Sequence, residues 1–563
     1  MFPKELTVNV LNMNRLLLIS LTLCAFLFSD FSFGIEANRG KDGENDYFLI
    51  NMTRGRVKQN EEDFRGALRI YTELYKTNAE NLQLNYRMGE CYVFIKEMDK
   101  AILHLEKVIA NDTIDKKNAY FYIGEAYQYE GKIDDAKQAF LNFKSSLSEK
   151  QLEKHQVNDL FAQCLTAQEL IAKPVNVKIT NLGDNINSNF TDACPSVSAD
   201  GKTLIFTSRR PENTGGLIEP SNDEYFDDIY ISSWDNASKS WTKAIQIPGK
   251  INTNGHDANT SISPDGKKVF VYKNVTGVTK SGDIYVSTKE DDVNWAEPIP
   301  VDEKNVNSTY FESSACITAD GNTMYFVSER LKDGYGNGDI YMAVKEGTAW
   351  GKPVNLGSII NTIEDEIGVF VHPDGKTLFF SSKGHNTMGG YDIFMSVFKN
   401  GSWSSPINMG YPVNTTKDEI HFVLSTDGKT AYLSSTRSEG KGKTDIYSVD
   451  MSKYYDENSK IDEQTTTVLS GPALSIIKGS VVDGETSEPI QVEIIIFDAD
   501  ENKEVTKITS NEKGEYFITL PAEKKYQFVV NQSKYKPLDI KFKLPKGVGE
   551  TYTMTKHLIL NKK

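Results

Sequence analysis

Apolar and polar positions divide the chain into stretches of different period. Over residues 45–173 the pattern is helical, and two segments repeat it at an offset of 35 residues. The first is Arg87-Met88-Gly89-Glu90-Cys91-Tyr92 with Ala101-Ile102-Leu103-His104-Leu105 after it. The second is Tyr122-Ile123-Gly124-Glu125-Ala126-Tyr127 with Ala136-Lys137-Gln138-Ala139-Phe140 after it. Ala67 precedes Ala101 by 34 residues. A small residue where two helices cross lets them pack closely, while aromatic residues fill the seam to the next pair. This predicts about three helix pairs, capped by an extra helix near residues 154–172.

Between residues 181 and 450 the period becomes that of short strands, organised by five turns. They are Ala199-Asp200-Gly201-Lys202, Pro264-Asp265-Gly266-Lys267, Ala319-Asp320-Gly321-Asn322, Pro373-Asp374-Gly375-Lys376 and Thr426-Asp427-Gly428-Lys429. An Asp-Gly pair between alternating apolar runs marks a β-hairpin, because Gly accepts positive φ freely and Asp better than most. Each hairpin continues as a run such as TLIFTS from Thr203 or TLFFSS from Thr377. A Gly-rich loop follows, and a third strand opens at Asp228-Ile229-Tyr230, Asp283-Ile284-Tyr285, Asp339-Ile340-Tyr341, Asp392-Ile393-Phe394 or Asp445-Ile446-Tyr447. Four of the five units then reach Trp241, Trp295, Trp350 or Trp403, a proline and a fourth extended segment. Four strands per unit of roughly 54 residues describe a five-bladed β-propeller over residues 175–452. Residues 175–186 carry the fourth-strand signature Asn181-Leu182-Gly183 with no hairpin before it. They are expected to pair with the last blade and close the ring, removing its sheet edges.

Residues 453–473 are polar and read as a linker. After them, short apolar runs with turn signals between them predict a β-sandwich over residues 474–563. The fold class is therefore multidomain α and β: an N-terminal α-helical stack, a five-bladed propeller and a C-terminal β-sandwich.

These motifs carry three resemblances. The 34- and 35-residue spacings, with Gly and Tyr in the first helix and Ala in the second, resemble tetratricopeptide repeats. The family implies a stack that binds peptides or partner proteins. The five Asp-Gly units resemble the WD40-like (PD40) repeats of TolB-type propellers. The last segment resembles the carboxypeptidase-regulatory-like sandwich, in which Gly514 would make a tight turn and Tyr516 would enter the core; that module carries no catalytic residues. The domain order is similar to Gram-negative envelope proteins of the OmpA family, among them a periplasmic component of type IX secretion. Those proteins usually end in a peptidoglycan-gripping α/β domain. The sequence stops at Lys563, directly after the sandwich, so peptidoglycan anchoring is not carried over.

The N-terminus changes the expected compartment. From Met13 the chain reads MNRLLLISLTLCAFLFSDFSFG, a positive flank, an apolar run and small residues Ser32 and Gly34, which reads as a signal peptide over residues 1–34 with the true start at Met13. Cys24 raises a lipoprotein alternative, although Leu23 before it is not small. The expected location is the periplasm or the periplasmic face of the outer membrane. With 63 Lys and Arg against 78 Asp and Glu, the net charge of −15 repels phosphate backbones, so nucleic acid is not an expected partner. No later stretch is apolar enough to span a bilayer. Cys91, Cys164, Cys194 and Cys316 show no CxxC and no metal-ligand spacing, and are read as core residues. No cofactor and no metal are expected.

One acidic position recurs in register. Asp192, Asp257, Glu312, Glu366 and Glu419 each lie eight residues before the Asp of the turn, which places five carboxylates at one rim or at the channel mouth. Either each fixes its own loop by accepting backbone hydrogen bonds, or together they form a partner-binding rim for a basic segment or a cation. We favour the first, on which Glu366→Gln costs about 1–3 kcal/mol. A serine peptidase would need a Gly-x-Ser-x-Gly elbow and a zinc enzyme an HExxH pair, and neither occurs. The expected function is a non-enzymatic scaffold binding envelope proteins through the helical concave face and the propeller rim. The alternatives are a glycan- or peptidoglycan-binding module and a propeller hydrolase using two carboxylates.

Overall fold

The computed structural model describes residues 41–111, 115–152, 155–219, 223–274, 282–302, 304–454, 473–545 and 551–563. The expected leader over residues 1–34, with Cys24, lies outside the described residues, as does nearly all of the expected linker. The chain divides into two compact units, one ending at Leu84 and one running from Asn85 to Lys563.

The first unit holds helices α1 (Lys41–Asn60) and α2 (Phe64–Tyr75). Asp63 caps α2 by accepting from the Gly66 amide at 2.7 Å. Gly55 sits against the ring of the buried Tyr71, whose hydroxyl donates to Gln59 at 2.7 Å. No side chain larger than hydrogen fits there.

Helix α3 (Leu82–Phe94) leads into the second unit, which continues with α4 (Met98–Ile109), α5 (Lys116–Tyr129), α6 (Ile133–Ser145), the short α7 (Glu149–Leu152) and the capping helix α8 (Val157–Ala172). The small residues stand at the crossings. A Cβ on Gly124 would lie 2.6 Å from Phe140, and Gly89 stands in the same way against Leu105. Cys91 and Ala126 occupy equivalent buried slots.

Five antiparallel sheets follow. Their inner strands are Asp192–Val197, Asp257–Ile262, Glu312–Ile317, Glu366–Val371 and Glu419–Leu424. Each touches the next and the fifth touches the first, so the ring is closed. Lys178–Asn181 supplies the outer strand of the fifth blade, with Lys178 opposite Asp450 and Asn181 opposite Tyr447. Every inner strand carries a bulge next to its second-strand partner. The Asp-Gly turns lie at one face of the ring; the loops that enter the inner strands and the Gly-rich loops lie at the other.

The sandwich packs two sheets around Ile477, Val481, Ile494, Ile496, Tyr516 and Phe528. In one, Leu474–Asp483 pairs antiparallel with Glu515–Pro521 and parallel with Tyr552–Thr555 and Leu558–Leu560. In the other, Glu493–Asp498 lies between Lys503–Thr509 and Lys525–Val530, with Leu538–Lys543 at the edge. Gly514 has φ of 72° and Tyr516 is buried in the core.

Helices and sandwich seat on opposite faces of the propeller. On the loop face, Gln128 donates to the Met388 carbonyl at 3.2 Å, Thr416 to the Tyr129 carbonyl at 3.0 Å, and Lys417 pairs with Glu130 at 3.4 Å. Lys96 pairs with Asp418, and Met388 packs among Phe140, Phe143 and Val157. On the turn face, Thr519 donates to the Pro373 carbonyl at 2.5 Å, Asn322 to the Lys507 carbonyl at 2.9 Å, and Lys267 pairs with Glu515 at 2.5 Å.

Candidate functional site

The five recurring carboxylates are fully buried. Each lies four residues after a Ser or Thr whose backbone amide and hydroxyl both donate to it. The hydroxyl distances are 2.7 Å for Ser188 to Asp192, 2.7 Å for Thr253 to Asp257, 2.5 Å for Ser308 to Glu312, 2.8 Å for Thr362 to Glu366 and 2.9 Å for Thr415 to Glu419. In three blades a second-strand serine adds another donor: Ser328, Ser382 and Ser435, at 2.6 to 2.7 Å. The acids therefore staple the loops that enter their own blades. They do not form an open rim, because their oxygens are turned inward and occupied.

A second recurring residue, which the sequence reading missed, completes the latch. Asn187, Asn252, Asn307, Asn361 and Asn414 stand five residues before the acids. Each amide accepts from and donates to the backbone of one isoleucine, at 2.7 to 3.0 Å. Those isoleucines, Ile446, Ile229, Ile284, Ile340 and Ile393, are the second residues of the third strand of the preceding blade. The staple thus fixes a loop whose neighbouring amide grips the blade before it. The signal was legible as Asn-Ser/Thr-x-x-x-Asp/Glu, five times over.

A buried carboxylate needs a compensating charge or must shift its pKa. Arg210 pairs with Asp192 at 3.0 Å, Lys273 with Asp257 at 2.7 Å, Arg330 with Glu312 at 3.4 Å and Arg437 with Glu419 at 3.6 Å. The three arginines lie 18 residues after their acids, where the fourth blade has Gly384. Among the described residues no Lys or Arg pairs with Glu366. His385 takes over only the arginine's contact to the loop carbonyl, donating to Ile360 at 2.9 Å. Burial, with a further contribution from Asp339, pushes Glu366 up to about 7.

The Asp of Asp-Ile-Tyr caps the Gly-rich loop. Amides of Thr214, Tyr335, Met388 and Lys441 donate to Asp228, Asp339, Asp392 and Asp445 at 2.6 to 2.9 Å. Burial pushes Asp228 up to about 6 and raises Asp392 well above the ordinary carboxylate range, with Glu419 adding to the latter. Trp241, Trp295 and Trp403 are buried within or between blades.

What stays open is the loop face beside the helices and the loop-side part of the axis. Phe190, Leu217, Ile218, Tyr310, Leu331, Tyr335 and Ile363 are exposed on loops of that face, with Leu331 at 76% and Ile363 at 81%. Charged groups stand among them: Arg209 pairs with Asp227 at 2.7 Å and Glu224 at 2.6 Å, and His256 with Asp227 at 2.8 Å. Tyr391 donates to Asp365 at 3.2 Å beneath Lys383. At the turn side the axis narrows to a cavity of about 20 Å³ lined by Val197, Ile262, Cys316, Phe370, Val371 and Leu424, room for about one water.

The tetratricopeptide repeat family model matches residues 118–146, which fall on α5 and α6. No curated protein matches. Among solved structures, TolB from Acinetobacter baumannii is 14% identical, with 47% of this chain and 56% of that chain covered and a TM-score of 0.29. The match therefore takes in little more than half of that protein's length. A protein of unknown function from Dyadobacter fermentans is 13% identical over 46% of this chain and 75% of that one, with a TM-score of 0.30. An α-L-arabinofuranosidase from Lactobacillus brevis is 15% identical over 48% and 94%, with a TM-score of 0.32. Neighbours this distant carry no argument about activity.

Proposed function

We propose that the chain is a non-catalytic scaffold of the cell envelope that binds protein partners on the loop face of its propeller, next to the helical repeats. One observation carries this reading. The polar residues repeated from blade to blade are consumed in holding the blades together, whereas apolar residues of the loop face stand exposed. Exposed apolar side chains set among charged groups are what protein interfaces are made from. The tetratricopeptide match supports protein partners. Among the described residues no helix is long and apolar enough to cross a membrane. Export to the periplasm and a place in a secretion or envelope-assembly complex rest on the leader and on the domain order.

The reading is tested by placing photocrosslinkers at Leu331 and Ile363 in cells that make the chain, and identifying what is captured. Discrete envelope proteins should be trapped, and Leu331→Glu with Ile363→Glu should abolish the capture while leaving the melting temperature unchanged. Retention on purified envelope glycans that survives the double substitution would instead establish the glycan-binding alternative. Turnover of a glycoside or peptide that disappears with a defined carboxylate pair would establish a hydrolase.

A further inference from the structure

One histidine on the loop face belongs to none of the repeated devices above. The residue before each stapling acid is Thr191, His256, Phe311, Asp365 or Asp418, so a histidine there is peculiar to the second blade. Its loop is held on both sides, by the Asn252 clamp on Ile229 and by the Thr253 amide and hydroxyl on Asp257. From that fixed loop the half-buried ring reaches the Gly-rich loop of the first blade. Nδ1 lies 2.8 Å from a carboxylate oxygen of Asp227, whose own amide stands 3.3 Å from the same nitrogen, and Nε2 lies 3.3 Å from Glu219. Phe226 stacks on the ring, with centroids 4.0 Å apart. Glu219 belongs to a two-stranded hairpin in which Ile218 faces Tyr225 and Glu219 faces Glu224. The two strands are tied by cations of different kinds. Arg209 pairs with Glu224 at 2.6 Å and with Asp227 at 2.7 Å, and Lys443 also pairs with Glu224, so the second strand is held by charges that do not titrate near neutral pH. The first strand starts from Leu217, whose carbonyl accepts from the Phe226 amide and from Asn213, and runs through the exposed Ile218 to Glu219, which meets the histidine.

We propose that His256 is a proton-operated pin: charged, it fastens the Glu219 strand of the first blade's hairpin to the second blade's loop, and neutral, it lets that strand go. The geometry asks for two donors. An imidazolium carries an N–H on each nitrogen, whereas a neutral imidazole carries one and presents a lone pair at the other. With carboxylates at both nitrogens only the charged ring satisfies both, and the Phe226 face favours the cation as well. The charged groups facing the ring are Asp227 and Glu219 on the first blade, with Arg209 and, beyond it, Glu224. Asp227 first, and Glu219 after it, raise His256 above the ordinary 6.5, against burial and Arg209. The folded ring therefore keeps its proton to a higher pH than the unfolded chain does. The grip is complete below 6.5 and is lost as pH rises through the folded midpoint. Because the shorter contact is to Asp227, the N–H that remains stays there, and Glu219 is left facing a lone pair. Ile218 lies on the loop face assigned above to partners, so its release would make partner binding depend on pH. That consequence alone rests on the scaffold reading; the pin itself is read from the chain without a partner.

The full chain is labelled with carbon-13 at histidine Cε1 and at the isoleucine δ1 methyls and titrated by NMR across neutral pH, with His256→Gln and Ile218→Val identifying the two signals. His256 should titrate above 6.5, and the Ile218 methyl should shift with the same midpoint. In His256→Gln the Ile218 methyl should no longer respond to pH. Glu219→Gln should lower the His256 midpoint, since one of two carboxylates is gone, and hold Ile218 alike at every pH, because an amide accepts from the charged ring and donates to the neutral one. Amide exchange at Ile218 and Glu219, corrected for its intrinsic pH dependence, should quicken by about tenfold across the midpoint in the wild type. A His256 midpoint at or below 6.5, an Ile218 methyl that ignores the His256 titration, an Ile218 transition that survives in His256→Gln, or a His256 midpoint untouched by Glu219→Gln would each overturn the proposal. The first two are read from the wild-type chain, so the test stands even where a variant fails to fold.

Discussion

At the scale of the residue, the blades differ in what balances a buried acid. Glu312 faces Arg330, and Glu419 faces Arg437, but with Gly384 in the arginine's place Glu366 has, among the described residues, hydroxyl and amide donors alone. Its folded pKa of about 7 lies above the ordinary 4.5. Below pH 4.5 it is protonated in both states. Between 4.5 and 7 the unfolded chain releases the proton while the folded chain keeps it, so this group makes stability fall as pH rises through that window, then level off. Glu366→Gln should therefore change stability at pH 8 by less than about 1 kcal/mol, because a neutral amide can still accept from the Thr362 amide and donate to the two hydroxyls. The variant should also lose that segment of the wild-type pH profile. Glu312→Gln removes a paired charge and should cost about 1–3 kcal/mol. Chemical denaturation of both variants from pH 4 to pH 8 checks the contrast; an equal loss in both at pH 8 would refute it. This reverses the expectation for Glu366 drawn from the repeat alone.

At the scale of the element, the ring is closed by four residues, Lys178–Asn181, paired to the strand that ends the propeller, together with the Asn187 clamp on Ile446. Thr180 and Ser448 face each other directly across that seam. Joining them closes a loop that contains nearly all of the propeller, and the unfolded chain loses the corresponding freedom. Thr180→Cys with Ser448→Cys should therefore raise stability by about 2–4 kcal/mol when oxidised and not when reduced. Melting with and without reductant, after confirming the bond by peptide mapping, decides this. The same logic explains the Asn latches. Each ties a loop of one blade to the second residue of the third strand in the blade before, so blades cannot separate without exposing two backbone groups.

At the scale of the second unit, the propeller is a hub with helices on its loop face and the sandwich on its turn face. The sandwich contact is small and polar: Thr519 to Pro373, Asn322 to Lys507, Lys267 to Glu515 and Thr506 to Asp320. A protease site placed within residues 455–472 should, once cut, leave the sandwich bound to the propeller. Lys267→Glu with Thr519→Ala should weaken that association about tenfold or more, since it sets two carboxylates against each other and removes a buried donor. Gel filtration after cleavage gives the answer, and co-elution unaffected by the double substitution would show that other contacts hold the sandwich.

The sequence by itself determined the parts that depend on period. Helix pairs, the five hairpins and the closing segment follow from spacing, because a residue's face is set by its place in a 3.6- or 2-residue repeat. It also placed five acids in register, since repeats put equivalent residues in equivalent positions. Whether those acids face solvent was not legible: burial depends on how the entering loop folds over each acid, and that is set by the Asn clamps to a strand roughly 20 residues away or, for Asn187, 259 residues away. The repeat does show Gly384 where three blades carry arginine, but that those arginines fold back onto the acids is decided by the tertiary structure. The meeting of Cys194 and His421 is further still from local pattern. They are 227 residues apart and become neighbours only because the ring closes, bringing the first inner strand beside the last.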